Sequence, residues 1–532
     1  MLIPIAVALV VLIPFILWII HLVKPDFAFH WVIASLTALV VFLLVLFAKP
    51  EQPVIVLSVD WQPQALFPVS PTFLLDTVSW SLALALATMT LSVLLTASVS
   101  QTSGAWYTWA GMLILTGLGL LSVTAANPLT LMLIWSAIDI FEIVILFRWI
   151  RRSELRRRIV WVISARVFGT FFLMVTTFIE APSEAQFDLG RMSPLTSLVM
   201  LLAAGLRLGV LPLHPPFLHD RPLRKGLGTP LRLVPVAASL VLLVRMAEFE
   251  VPEVFIPWIL ALTALAGIYG VVSWIIAASE LSGRPYWILS VVSLCVAAAV
   301  SAQPIACLSW SLACILMGGF MFVLSSRHRA LFPVMGAAII GLSSLPFTPT
   351  WAGLGIYTSL WSDRAPYSLI FGAVQLFLLL GVVKHLRRNV DPPALAQGAL
   401  WFLYTPGLLL LVVVQYSLGL TLSANLGVGE WQSWLGLIIT ASAGFIWLIF
   451  SFNRTVQLVS RRYQQYAIQL TRLWERIFSL EWLYQLLWVV YRVMGRIVDW
   501  FNLFLESEAG ILWAVVILIF FLTISSQLIA LR

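Results

Sequence analysis

Apolar runs of about 17 to 25 residues recur along this 532-residue chain, each long enough to cross a hydrocarbon layer about 30 Å thick. Lipid offers no water to an unpaired backbone group, so such runs fold as helices that satisfy their own N–H and C=O groups. The fold class expected is an all-α polytopic membrane protein with about 16 transmembrane helices. Composition agrees. Hydrophobic residues make up 61% of the chain, charged residues 10%, and the mean hydropathy is +1.01, against roughly 45–50% apolar and about 25% charged in soluble domains. The stretch from Met1 to Ile20 has neither a basic leader nor a small-residue cleavage site, and it reads as a first span rather than a signal peptide.

Orientation follows from the basic residues. Arg148, Arg151, Arg152, Arg156, Arg157 and Arg158 follow the fifth span, and Arg221, Arg224 and Lys225 follow the seventh. Arg327 and Arg329 follow the eleventh, and Lys384, Arg387 and Arg388 the thirteenth. The positive-inside rule places these loops in the cytoplasm. Intervening loops carry Glu180, Glu184 and Asp188, or Glu248, Glu250 and Glu253. Both termini are therefore expected on the outer side of the inner (cytoplasmic) membrane. A net charge of +8 and a pI near 9.6 would suggest nucleic-acid binding in a soluble protein. Here the arginines sit where topology demands them, so the expected surroundings are lipid bilayer and other membrane subunits, with no nucleic-acid partner.

Chemistry-bearing motifs are scarce. Cys295, Cys307 and Cys314 lie in apolar runs without Cys-x-x-Cys spacing or nearby histidines, which gives no zinc or iron–sulfur site. No phosphate-binding glycine loop and no His-Glu-x-x-His occurs. No cofactor, metal or catalytic residue is assigned, and the chain is not read as catalytic on its own. The Gly-Leu-Gly pieces at 117–119 and 226–228 read as helix packing and a turn.

The segment 453–508 differs from the rest. It lacks an apolar run of spanning length and mixes Arg461, Arg462, Arg472, Arg476, Arg492 and Arg496 with Trp474, Trp482, Tyr484, Trp488 and Trp500. That mixture predicts a lateral amphipathic helix in the membrane interface, on the cytoplasmic side. An anchoring span is expected after it, within 509–532.

Four stretches, taken in order, carry a family resemblance. "FLLDTVSWSLAL" at 73–84 has Asp76 and Ser79 in a Phe-x-x-Asp-x-x-Ser arrangement, and "NPLTLMLIWSAIDIFEIVI" spans 127–145. "SARVFGTFFL" at 164–173 keeps Arg166, and "LRLGVLPLHPPF" at 206–217 keeps Pro212, Leu213 and His214. A fifth, weaker match is "RPYWILSVVSL" at 284–294. Together they resemble the antiporter-like proton-pumping subunits of complex I (NADH:quinone oxidoreductase) and of multi-subunit cation/proton antiporters, in the long type that ends in a lateral helix and a final span. The resemblance implies two inverted five-helix repeats, one broken near Pro212 and the other between Pro346 and Gly355. It divides the chain into an N-terminal region at 1–100, repeats at 101–250 and 251–390, C-terminal spans at 391–452, the lateral helix at 453–508 and the anchor at 509–532.

The departures bear on chemistry. Where the resemblance implies a glutamate after Trp135 stands Ser136, with Asp139 and Glu142 one and two turns on. Arg207 takes the place of a lysine. A buried lysine can release its proton, whereas a guanidinium stays charged and serves instead as a bidentate partner for a carboxylate. Arg207 is expected to pair with Asp139 or Glu142, the alternative being a side chain that snorkels to the inner surface. Other positions where the resemblance implies titratable groups hold Val236 or Leu240, and Leu316 or Met317. His214 reads either as a proton acceptor at a broken helix or as the cap of its end. Arg232 and Arg245 read as interfacial anchors, and Lys384 and His385 as positive-inside residues.

Asp139, Glu142, Arg207 and His214 are therefore the ion-pathway candidates, with Asp76 and Arg166 as family-motif or structural ion-pair residues. Three functions are open: a membrane-arm subunit of a complex I-type assembly with proton translocation impaired or lost; a structural scaffold paralogue; or a membrane subunit of an inorganic-carbon uptake or cation/proton antiporter complex.

Overall fold

The structure, a computed structural model, describes residues 2–27, 29–59, 70–97, 105–149, 153–180, 193–215, 226–324, 331–387, 398–424, 426 and 434–452, with isolated positions between 469 and 521. The helices are α1 (Leu2–Val23), α2 (His30–Phe47), α3 (Thr77–Ala97), α4 (Trp106–Val123), α5 (Pro128–Trp149), α6 (Ser153–Glu180), α7 (Pro194–Leu208) and α8 (Gly228–Met246). They continue as α9 (Ile256–Ile276), α10 (Glu280–Val300), α11 (Pro304–Val323), α12 (Phe332–Ile340), α13 (Gly355–Leu386), α14 (Gly398–Leu422) and α15 (Leu435–Phe452). Twelve described helices are long and apolar enough to span a membrane, and α7 and α15 are shorter apolar helices. Most of the predicted final span and most of the lateral helix lie outside the described residues; the described stretch 492–497 is helical. Residues 1–471 form one compact unit and 472–532 a second.

Burial sorts the helices. All 19 residues of α8 are buried, and α3, α10 and α11 are buried over most of their length. Helices apolar on every side belong in the interior of a bundle. α1 buries only the stripe Ile3, Ala6, Val10, Pro14 and Leu17 and leaves Val11, Leu12 and Phe15 exposed, as a lipid-facing outer helix would. The pair at 117–119 packs helices: a Cβ on Gly117 would lie 2.8 Å from Val10, and one on Gly119 would lie 3.0 Å from Val234.

The fold is mostly helical, as expected, with one small sheet beside the helices. Between α2 and α3, β1 (Val54–Ser58) and β2 (Thr72–Leu75) form an antiparallel two-stranded sheet. Beyond it, Leu74 N donates to Thr124 O at 2.7 Å and Ala126 N to Thr72 O at 3.0 Å. Short apolar runs such as Val54–Ser58 have no periodicity that separates strand from helix.

Two helices break. α7 ends at Leu208 on Gly209, whose φ of 80° supplies the left-handed C-cap that a side chain disfavours. The chain then turns through Val210 to His214, and Pro212 lacks the N–H a continuing helix needs. The second break runs from Gly341 to a 3-10 turn at Trp351–Leu354, beginning somewhat before the expected Pro346. Ser344 (φ 53°) and Phe347 (φ 64°) lie within it. α13 is itself two helices joined at Arg364 (φ −141°, ψ 47°), because Pro366 two residues on provides no N–H and disfavours helical geometry before it.

Candidate functional site: a buried arginine and carboxylate cluster

Asp139 and Glu142 lie one turn apart on α5 and are both buried, at 4% and 1% exposure. Three neighbouring helices answer them with guanidinium groups. Arg166 on α6 bridges the two acids, Nη2 donating to Asp139 Oδ1 and Nη1 to Glu142 Oε2. Arg207, in the last turn of α7, grips Asp139 bidentately: Nη1 donates to Oδ2 at 2.7 Å and Nη2 to Oδ1 at 3.0 Å. Arg232 on α8 donates from Nη1 to Glu142 Oε1 at 3.0 Å. All four carboxylate oxygens therefore accept from arginine.

Surrounding groups fix these side chains in place. Arg207 Nη1 also donates to Arg166 O and to Thr170 Oγ1, each at 3.0 Å. Its guanidinium carbon lies 4.3 Å from the centre of the Trp135 ring, a cation–π contact. Trp135 is held by Nε1 donating to Ala238 O at 2.9 Å, which ties α5 to α8. Gly169 on α6 admits α7: a Cβ there would lie 2.6 Å from Arg207 Cγ and 2.8 Å from Ala203 O. Arg207 is 4% exposed, so it does not snorkel.

Asp139, Glu142, Arg166 and Arg207 are brought together; Asp76 and His214 are not part of the cluster. Asp76 caps α3 through Ser79 N at 2.8 Å and accepts from Arg245 Nη1 at 3.0 Å. Arg245 Nη2 donates in turn to Ser79 Oγ at 3.0 Å. His214 is buried, and its Nδ1–H donates to Pro212 O at 2.8 Å within the turn after α7.

Reading Arg232 and Arg245 as interfacial anchors was therefore incorrect. Arg232 is 4% exposed and Arg245 9%, and each holds a carboxylate. A helix without a lipid-facing side gives a cation no route for snorkelling, so an internal partner is required. That signal lay in the apolar character of α8 on every face. His385 also departs from its reading. It is buried, its Nε2 lies 2.9 Å from Trp274 O, and Lys384 donates to Ile275 O. The two residues cap the last carbonyls of α9. Because the Asp76–Arg245 pair is partly solvated, at 18% and 11% side-chain exposure, Arg245→Ala is expected to cost roughly 1.5–3 kcal/mol, less than losses within the cluster. Thermal unfolding of the full chain in detergent checks this.

The second break is polar but uncharged. Tyr357 OH donates to Gln375 Oε1 at 2.7 Å, and Gln375 Nε2 donates to Leu342 O at 2.9 Å and to Ser344 Oγ at 2.8 Å. Thr350 Oγ1 accepts from Ser344 N at 3.0 Å and reaches Gly341 O at 3.1 Å. Side chains thus satisfy the backbone freed by the break, and no carboxylate or amine takes part among the described residues.

No protein-family model matches the sequence, and no curated protein sequence does. Solved structures match the fold. A chain of the Mrp complex from Dietzia sp. DQ12-45-1b superposes with a TM-score of 0.71 at 15% identity, covering 100% of this chain. This protein spans 63% of that chain's length. A chain of the membrane-bound sulfane sulfur reductase, an archaeal respiratory membrane complex, gives a TM-score of 0.70 at 13% identity, covering 98% of this chain and 99% of that one. A chain of respiratory complex I from Thermus thermophilus with bound NADH gives 0.61 at 20% identity, covering 80% and 100% respectively. The fold is shared with chains of these three membrane complexes.

Proposed function

We propose that the chain is a membrane-arm subunit of a complex I-type or cation/proton antiporter-type assembly in which proton translocation through this subunit is impaired or lost. The observation that carries the reading is the bidentate Arg207–Asp139 pair, within a cluster whose every carboxylate oxygen is engaged by a guanidinium. A proton relay needs groups that exchange protons near neutral pH. Arginine does not, and protonating Asp139 would abandon two buried guanidinium partners at once. The second break supports the same conclusion, since neutral Gln375 and Tyr357 occupy it.

The paired breaks after α7 and after α12 support two inverted repeats, α4–α8 and α9–α13. In this reading the subunit is a scaffold held rigid by ion pairs, with the 453–508 segment lying along its neighbours in the interface of the inner membrane and both termini on the outer side. Assembly is tested by tagging the full chain and extracting it from native membranes in mild detergent. It is expected to emerge with other multi-pass subunits; elution as a lone 59.2 kDa polypeptide would overturn the proposal.

A further inference from the structure

α12, α13 and α15 enclose a groove of about 710 Å3, open along one side and away from the cluster on α5 to α8. Its walls are apolar along most of their length, with Met335 and Gly336 from α12, Leu379 from α13 and Gly444 from α15. A Cβ on Gly336 or Gly444 would meet no described atom within 4 Å, so among the described residues the space beside both is open. One end changes character. There Arg387, exposed at the end of α13, places its guanidinium carbon 4.2 Å from the centre of the Trp447 ring.

In the sequence, Arg388 follows Arg387, and Arg327 and Arg329 precede α12. By the positive-inside rule the end of α13 that carries Arg387 is the cytoplasmic end, at the depth where tryptophan and arginine meet lipid headgroups. An apolar slot of ligand size, topped by a cation beside an indole, complements a molecule with a hydrocarbon tail and a phosphate carrying net negative charge. A zwitterionic headgroup would bring an ammonium into the same positive field.

We propose that this groove is a binding site for one anionic phospholipid, its phosphate held by Arg387 beside Trp447 and an acyl chain lying over Gly336 and Gly444. The proposal is independent of whether the subunit moves protons.

The test is native mass spectrometry of the full chain in mild detergent, supplied with phosphatidylglycerol or phosphatidylcholine at equal concentration. Wild type is expected to retain one phosphatidylglycerol and not phosphatidylcholine. Arg387→Gln should lower its retention about tenfold, as loss of a charge-assisted hydrogen bond implies, and Arg387→Lys should keep most of it. Gly444→Leu fills the slot without touching the charge and should abolish retention. Independently of any folding defect in those variants, Gly444→Cys should react with a maleimide after delipidation and be protected when phosphatidylglycerol is restored. Equal retention of both lipids, retention unaffected by Arg387→Gln or by Gly444→Leu, displacement by inorganic phosphate, or protection of Gly444→Cys that persists without lipid, as a docked protein segment would give, each overturns the site.

Discussion

Asp139→Ala is expected to prevent the chain from accumulating as a folded membrane protein. Asp139 accepts three hydrogen bonds from two buried guanidinium groups, Arg166 and Arg207, and its removal leaves both without their shared anion. Breaking a buried ion pair by deleting one partner costs about 3–5 kcal/mol, a large part of a typical total stability of about 5–15 kcal/mol. Arg207→Ala should follow with a smaller loss, since Arg166 still covers Asp139 Oδ1. Arg207→Lys keeps a charge but loses the bidentate geometry, and it should be milder than either. The midpoint of thermal unfolding in detergent, measured beside the yield of monodisperse protein, ranks the three. A ranking in which Asp139→Ala melts like wild type would show that the cluster does not hold the bundle together.

The second large effect is expected at a residue with no charge. Gly169→Val places two methyl groups where a Cβ alone already lies 2.6 Å from Arg207 Cγ and 2.8 Å from a backbone oxygen. The oxygen of Ala203 belongs to the α7 backbone and cannot rotate away, so α6 and α7 must separate. Overpacking costs about 1–3 kcal/mol or more, and the separation also draws Arg207 from Asp139. Gly169→Ala and Arg207→Ala should therefore be non-additive, because each disturbs the same contact. A double-mutant cycle on thermal stability checks this. Strict additivity would mean that Gly169 serves packing alone and has no part in seating Arg207.

Much of the fold was legible because membrane spans write themselves as unbroken apolar length, and most of the predicted spans between residues 2 and 452 have a helix. The Arg207–Asp139 pair was legible for a related reason: a charge within an apolar run needs a partner, and α5 offered only two acids. Arg232 and Arg245 lie near the ends of α8, a position that suggests anchoring, but α8 leaves no face for lipid. The kink at Arg364 is not legible in the sequence, because Pro366 sits inside an apolar stretch that looks continuous by hydropathy. The hairpin was hidden because its partner strand, Thr72–Leu75, reads equally well as the opening of the third span.

The central claim is that the cluster is a lock and not a relay. It is tested most directly by proton flux across vesicles reconstituted with the tagged chain and the subunits that copurify with it, under an imposed pH gradient and membrane potential. Compared at equal amounts of folded protein, wild type, Asp139→Asn and Arg207→Lys are predicted to give the same flux, because no proton passes through these side chains. A wild-type flux that falls in Asp139→Asn or Arg207→Lys would contradict the account and place the cluster on a conducting path.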